Sequence, residues 1–109
     1  MKKMNLSQPY FDMVKNGKKT VEIRLYDEKR RKLKIGDKIK FTNNEIGKNF
    51  VKEIKNIKLF DSFRKAIEQT RLKNCMPNIS RIDDAVKIYH SFSNYKSNEK
   101  KIGVIALFF

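Results

Sequence analysis

The run Gly17-Lys18-Lys19-Thr20-Val21-Glu22-Ile23-Arg24 carries a strand-like pattern, which predicts an extended segment from about Lys18 to Tyr26 with two unlike faces. Successive side chains of a strand point to opposite sides, so Lys18, Thr20, Glu22, Arg24 and Tyr26 share one face and Val21, Ile23 and Leu25 the other. The apolar face can enter a core. The polar face sets a carboxylate and a guanidinium two residues apart. Arg offers a planar fork of donors and Glu only acceptors, so this face is equipped to recognise a ligand with anionic and hydrogen-bonding groups. The competing reading is a solvated strand face closed by a cross-strand or i,i+2 ion pair.

Local signals predict the remaining elements. Ser7 as N-cap and Pro9 in the first turn open a short helix with Tyr10, Met13 and Val14 on one face, ended by Gly17. Asp27 caps a brief turn, Gly36-Asp37 marks another, and Ile39 and Phe41 alternate with Lys38, Lys40 and Thr42 as a half-wet strand. Asn43 to Gly47 reads as a hairpin connection. Phe50 to Leu59 is the returning strand, with a bulge near Lys52 or Asn56 to reconcile its broken period of two. A helix beginning at Asp61 or Ser62 carries Phe63, Ala66 and Ile67 and ends near Thr70. Another follows a capping box at Ser80–Asp83 and presents Ile82, Ala85, Val86 and Tyr89. Asn94 to Lys100 reads as a polar loop, and Gly103 to Phe109 as a continuously apolar strand suited to burial. The sum is an α+β fold with a small barrel or strongly curved sheet and inserted helices, and 109 residues give one domain, 1–109, with a modest core.

Read as G-x-K-x-x-E-x-R, with Gly17, Lys19, Glu22 and Arg24 at the fixed positions, the opening run resembles the signature of ASCH domains, the ASC homology branch of the PUA-like superfamily. The resemblance extends over nearly the whole chain. It is strongest from Leu6 to Phe41, including Ile35-Gly36-Asp37, and weak from Cys75 to Asn98. It implies a PUA-like barrel whose signature residues line a cleft for an unpaired base or small nucleoside. It also implies that Lys19 is the cleft lysine, whereas strand parity favours Lys18; the two agree if the strand begins only after Thr20. In such a cleft Arg24 contacts a phosphate or base edge, Glu22 accepts from an exocyclic amine or orients the lysine, and Lys19 supplies charge. Tyr10, Tyr26 or Phe63 are the candidate stacking surfaces.

The family also contains ASCH-like amidohydrolases that deacetylate acetylated cytidine with a Lys and a nucleophilic Thr in the signature and a Glu from a later segment. Lys19 matches the Lys, but Glu22 stands where the Thr would be, and Thr20 is two residues away. The later Glu has no counterpart nearer than Glu68, Asp83 or Asp84, so that mechanism does not carry over. A metal-independent ribonuclease with Lys19 and Glu22 as catalytic candidates is the other enzymatic alternative, Glu22 acting as base while Lys19 and Arg24 stabilise a phosphorane.

A formal charge of +14 raises affinity for polyanions. Lys outnumbers Arg by 20 to 6, a bias that an AT-rich genome also produces. Composition does not account for clustering, and Lys29-Arg30-Arg31-Lys32 directly follows the signature strand. The expected partner is therefore RNA or a nucleotide-like ligand, contacted by Lys18, Lys19, Thr20, Glu22, Arg24, Tyr26, Lys29, Arg30, Arg31 and Lys32. No cofactor or metal is expected, because Cys75 and His90 are the only soft ligands; Cys75 reads as a small core residue or a spectator and His90 as structural or exposed. No apolar run has the length of a leader or a membrane span, so the expected location is cytoplasmic, with no membrane partner.

Overall fold

A computed structural model describes all 109 residues. Its elements run β1 (Lys2–Asn5), α1 (Tyr10–Lys15), β2 (Val21–Leu25), α2 (Glu28–Arg31), β3 (Lys38–Asn43), β4 (Lys48–Glu53), β5 (Asn56–Phe60), α3 (Phe63–Thr70), α4 (Leu72–Cys75), α5 (Ile82–Ser91), α6 (Tyr95–Ile102) and β6 (Val104–Phe108). None of the helices is long and apolar enough to cross a membrane.

The closing strand β6 organises the molecule. It lies between β2 and β5 and is antiparallel to both. Val104 and Ala106 enter one core with Val21, Ile23 and Leu25 of β2 and the apolar faces of α3 and α5. Ile105 and Leu107 enter a second core with Met4, Leu6, Phe11, Val14, Ile39, Phe41 and Ile54. Burial on both faces is why this strand has no alternation. Across the pair, Glu22 stands opposite Leu107 and Arg24 opposite Ile105, so the polar face of β2 also turns into the protein.

The strands form two three-stranded sheets, β1-β3-β4 and β2-β6-β5, and no closed barrel. The segment expected as one bulged strand is two strands in different sheets. Ile54 exchanges backbone hydrogen bonds with Gly36 and Asp37, while the next residue, Lys55, donates to the Phe108 carbonyl at 2.7 Å. This change of partner, with the Ile54 side chain fully buried, is what breaks the period of two.

Ser62 caps α3 by accepting from the Lys65 amide at 3.1 Å, and Asp27 caps α2 by accepting from the Arg30 amide at 3.0 Å. Neither Ser7 nor Ser80 is an N-cap: α1 and α5 begin after Pro9 and Arg81, without side-chain caps. At α1 the Ser7 carbonyl, not its hydroxyl, receives the Phe11 amide. The stretch expected as a polar loop from Asn94 is helix α6. Tyr95 stacks on Phe63 with ring centres 5.2 Å apart, and Glu99 accepts from the Phe63 amide and pairs with His90 at 3.0 Å. Tertiary anchors thus hold a helix whose apolar residues are too sparse for periodicity to reveal. Gly103, at φ 80, ends it and turns the chain into β6.

Candidate functional site

Strand β2 begins at Val21, so the alternation does not reach back to the two lysines. Gly17 adopts φ 85, the Lys19 amide donates to the Met13 carbonyl at 2.9 Å, and the Thr20 amide to the Asn74 carbonyl at 3.0 Å. This loop geometry sends Lys19 inward and leaves Lys18 exposed. The Lys19 ammonium donates to the carbonyls of Val21 (2.6 Å) and Cys75 and lies 3.1 Å from Glu22 Oε1. An ammonium has three hydrogens, and these three acceptors use them.

Glu22 Oε2 accepts from Arg24 Nε at 2.8 Å, and Arg24 Nη2 donates to the Asn5 carbonyl at 2.7 Å. Lys19, Glu22 and Arg24 therefore form one ion-paired chain, with side-chain exposures of 2%, 7% and 15% in that order. Arg24 is the member nearest solvent. Burial opposes ionisation of Glu22, but Lys19 first and Arg24 second outweigh it and hold the carboxyl below the ordinary glutamate range. Burial likewise opposes the Arg24 charge, and Glu22 more than restores it.

All three residues line a cleft of about 300 Å³. The remaining lining comes from Asn5, Leu6, Ser7 and Tyr10 near the N-terminus, Ile23 of β2, and Met76, Tyr89, Phe92 and Tyr95 from the helical region. Two groups in it have hydrogen-bonding capacity that the protein does not use. Arg24 carries five N–H bonds, of which only those to Glu22 and Asn5 are engaged. The Tyr89 hydroxyl is buried with no hydrogen-bond partner, and burial pushes its pKa well above the ordinary tyrosine value.

Of the ten residues expected to contact a ligand, Lys19, Glu22 and Arg24 meet in the cleft. Thr20 is half-buried, and its backbone ties the loop to Asn74 and Phe109. Lys18 and Tyr26 do not line the cleft. Arg31 lies 5.0 Å over the Tyr26 ring and donates to its carbonyl, so this pair is occupied with itself. Lys29, Arg30 and Lys32 line a separate cavity. Of the expected stackers only Tyr10 reaches the cleft; Phe63 is fully buried between the rings of Tyr89 and Tyr95.

Sequence reasoning did not place Asn5, Leu6, Ser7, Met76, Phe92 or Tyr95 at the site; Tyr89 is a core residue, as its helical spacing predicts, and it also lines the cleft. One signal was present: Tyr89, Phe92 and Tyr95 recur every third residue across the end of α5, and they form much of one cleft wall. Glu68, Asp83 and Asp84 do not line the cleft, and Asp83 is held at the surface by Arg64 at 2.7 Å. No group of three or more His, Cys, Asp or Glu side chains converges to hold a metal ion.

A small α+β domain with a buried Lys–Glu–Arg chain lining a cleft rich in aromatic side chains is the class that fold and site define. The chain belongs to the ASCH domain family, whose model matches residues 4–109. It is similar to the crystal structure of a hypothetical protein, PH0355, at 40% identity and a TM-score of 0.87, covering 99% of this chain and 96% of that one. It is also similar to the solution structure of PF0455 from Pyrococcus furiosus, at 37% identity and a TM-score of 0.77, covering 97% and 92%. A search among curated proteins returns no match.

Proposed function

We propose that the cleft binds the base of an RNA or nucleotide-like ligand, recognised by Arg24 and Tyr89 against the aromatic wall. The observation that carries this reading is the pairing of unused polar groups with an apolar, concave site: Arg24, with three N–H bonds not engaged by the protein, and Tyr89, with an unpartnered hydroxyl, line the same cavity as Tyr10, Phe92 and Tyr95. A buried hydroxyl without a partner is costly, and a ligand that supplies one removes the cost. A planar ligand with carbonyl acceptors matches both the walls and the donors.

Glu22 and Lys19 serve this site from behind. Both Glu22 oxygens are engaged by cations, which leaves it as the support that orients Arg24 rather than the acceptor for an exocyclic amine. The same engagement argues against hydrolysis through Glu22. A general base works best with a pKa near the operating pH, and two neighbouring cations move this carboxylate the other way.

Tyr89→Phe tests the reading because it separates binding from folding. The apo domain is expected to keep or slightly gain stability in chemical denaturation, since the lost hydroxyl has no partner. Affinity for nucleosides, measured by calorimetry on a panel of the four common ribonucleosides, is expected to fall about threefold to tenfold for the best ligand. Unchanged affinity would remove Tyr89 from recognition, and a large loss of stability would show that its hydroxyl serves the fold.

A further inference from the structure

The cavity beside α2 gathers cations from three segments that are separate in sequence. Lys2 and Lys3 come from β1, Lys29 and Arg30 from α2, and Lys32 from the turn that follows; Met4, Leu33 and Ile39 complete the lining of an open cavity of about 170 Å³. Two of these cations are fixed in place. Lys2 Nζ lies 2.7 Å from Asp37 Oδ2 and donates to the Lys32 carbonyl at 2.8 Å, and Arg30 Nη1 lies 2.8 Å from Asp27 Oδ2. Arg30 Nε, in contrast, is buried without a partner. Lys3, Lys29 and Lys32 have no carboxylate within ion-pair distance, so five cations face two carboxylates.

We propose that this cavity is a phosphate subsite for the RNA strand whose base occupies the cleft. Its chemistry suits an anion: four lysines and one guanidinium line it, and a carboxylate fixes the orientation of the guanidinium. Its position ties it to the cleft. Lys2 and Lys3 line the cavity, and Asn5 and Leu6, a few residues along the same chain, line the cleft. At about 3.3 Å per residue the two sites lie on the order of 10 Å apart along β1. A base held at one end thus leaves the phosphates of the same strand within reach of the other. The proposal rests on the cleft reading only for where the base sits.

The test compares wild type with the double variant Lys29→Ala/Lys32→Ala, whose replaced side chains are exposed and unpaired, so the fold is retained. Uridine, a short oligouridylate and inorganic phosphate are each titrated at several salt concentrations. Uridine affinity is expected to be the same in both proteins. Oligouridylate affinity is expected to fall about tenfold in the variant, with the salt dependence shallower by about 0.7 for each phosphate that the variant no longer neutralises. Equal oligouridylate affinity and equal slope in the two proteins would overturn the subsite, as would failure of the oligonucleotide to bind at all. Inorganic phosphate binding as tightly as the oligonucleotide would also overturn it, by showing a site for the free anion. If uridine fails to bind while the oligonucleotide slope still changes, the subsite stands and the cleft reading falls.

Discussion

Replacing Lys19 with methionine is expected to destabilise the domain by about 3–5 kcal/mol, the cost of removing one partner from a buried ion pair. Methionine fills a similar volume, so the loss reports electrostatics and hydrogen bonding rather than a cavity. The substitution strips the Val21 and Cys75 carbonyls of a donor and leaves Glu22 with Arg24 alone. The effect carries a pH signature. In the folded protein the Glu22 carboxyl lies below its ordinary range, so its contribution to stability is complete above the unfolded-state pKa of about 4.3 and is lost as pH falls through the lower folded-state value. A protonated Glu22 has little need of Lys19. The stability gap between wild type and variant, read from urea denaturation at successive pH values, is therefore expected to narrow in acid. A gap below about 1 kcal/mol at neutral pH, in the range of an exposed pair, would mean that Lys19 is not the buried support described above.

Arg24→Lys is expected to weaken nucleoside binding about tenfold to a hundredfold while the protein stays folded. Lysine preserves the charge that faces Glu22, but its ammonium has three donors on one atom, where the guanidinium fork reaches Glu22, Asn5 and the cleft at once. Once the lysine pairs with Glu22, it cannot also span to the Asn5 carbonyl and a ligand. Calorimetry on the same nucleosides checks the affinity, and a denaturation midpoint close to that of wild type checks the fold. Affinity equal to wild type would show that Arg24 contributes charge alone.

Local pattern sufficed where side-chain direction follows from chain conformation. Val21, Ile23 and Leu25 are buried on one face of β2 with Glu22 and Arg24 on the other, as alternation requires. The apolar run ending at Phe108 is a strand covered on both sides, and Phe63, Ala66 and Ile67 form the buried stripe of α3. Pattern failed where a distant partner decides the outcome. The division of Phe50–Leu59 depends on Lys55 meeting Phe108, and α6 depends on Glu99 reaching Phe63 and His90. The inward turn of Lys19 needs the carbonyl of Cys75, far along the chain, and parity alone favours Lys18. For the cleft, sequence identified the charged end and missed the aromatic wall, because Tyr89, Phe92 and Tyr95 come together with Glu22 only when α5 and α6 pack beside β2. The basic run has the reverse character. Its adjacency to β2 in sequence implied adjacency to the cleft, yet Arg31 turns onto Tyr26 and its neighbours line a different cavity.

In the proposed complex a base-like ligand sits in the cleft against Arg24 and Tyr89. Titrating the isotope-labelled domain with a ribonucleoside and following it by NMR tests that most directly. The predicted result is a set of shift changes concentrated at Leu6, Met76, Tyr89, Phe92 and the Arg24 guanidinium, with nuclear Overhauser contacts between the base and the rings of Tyr89 or Tyr95. Shifts confined to Lys29–Lys32, or a saturating titration that leaves the cleft resonances unmoved, would contradict it.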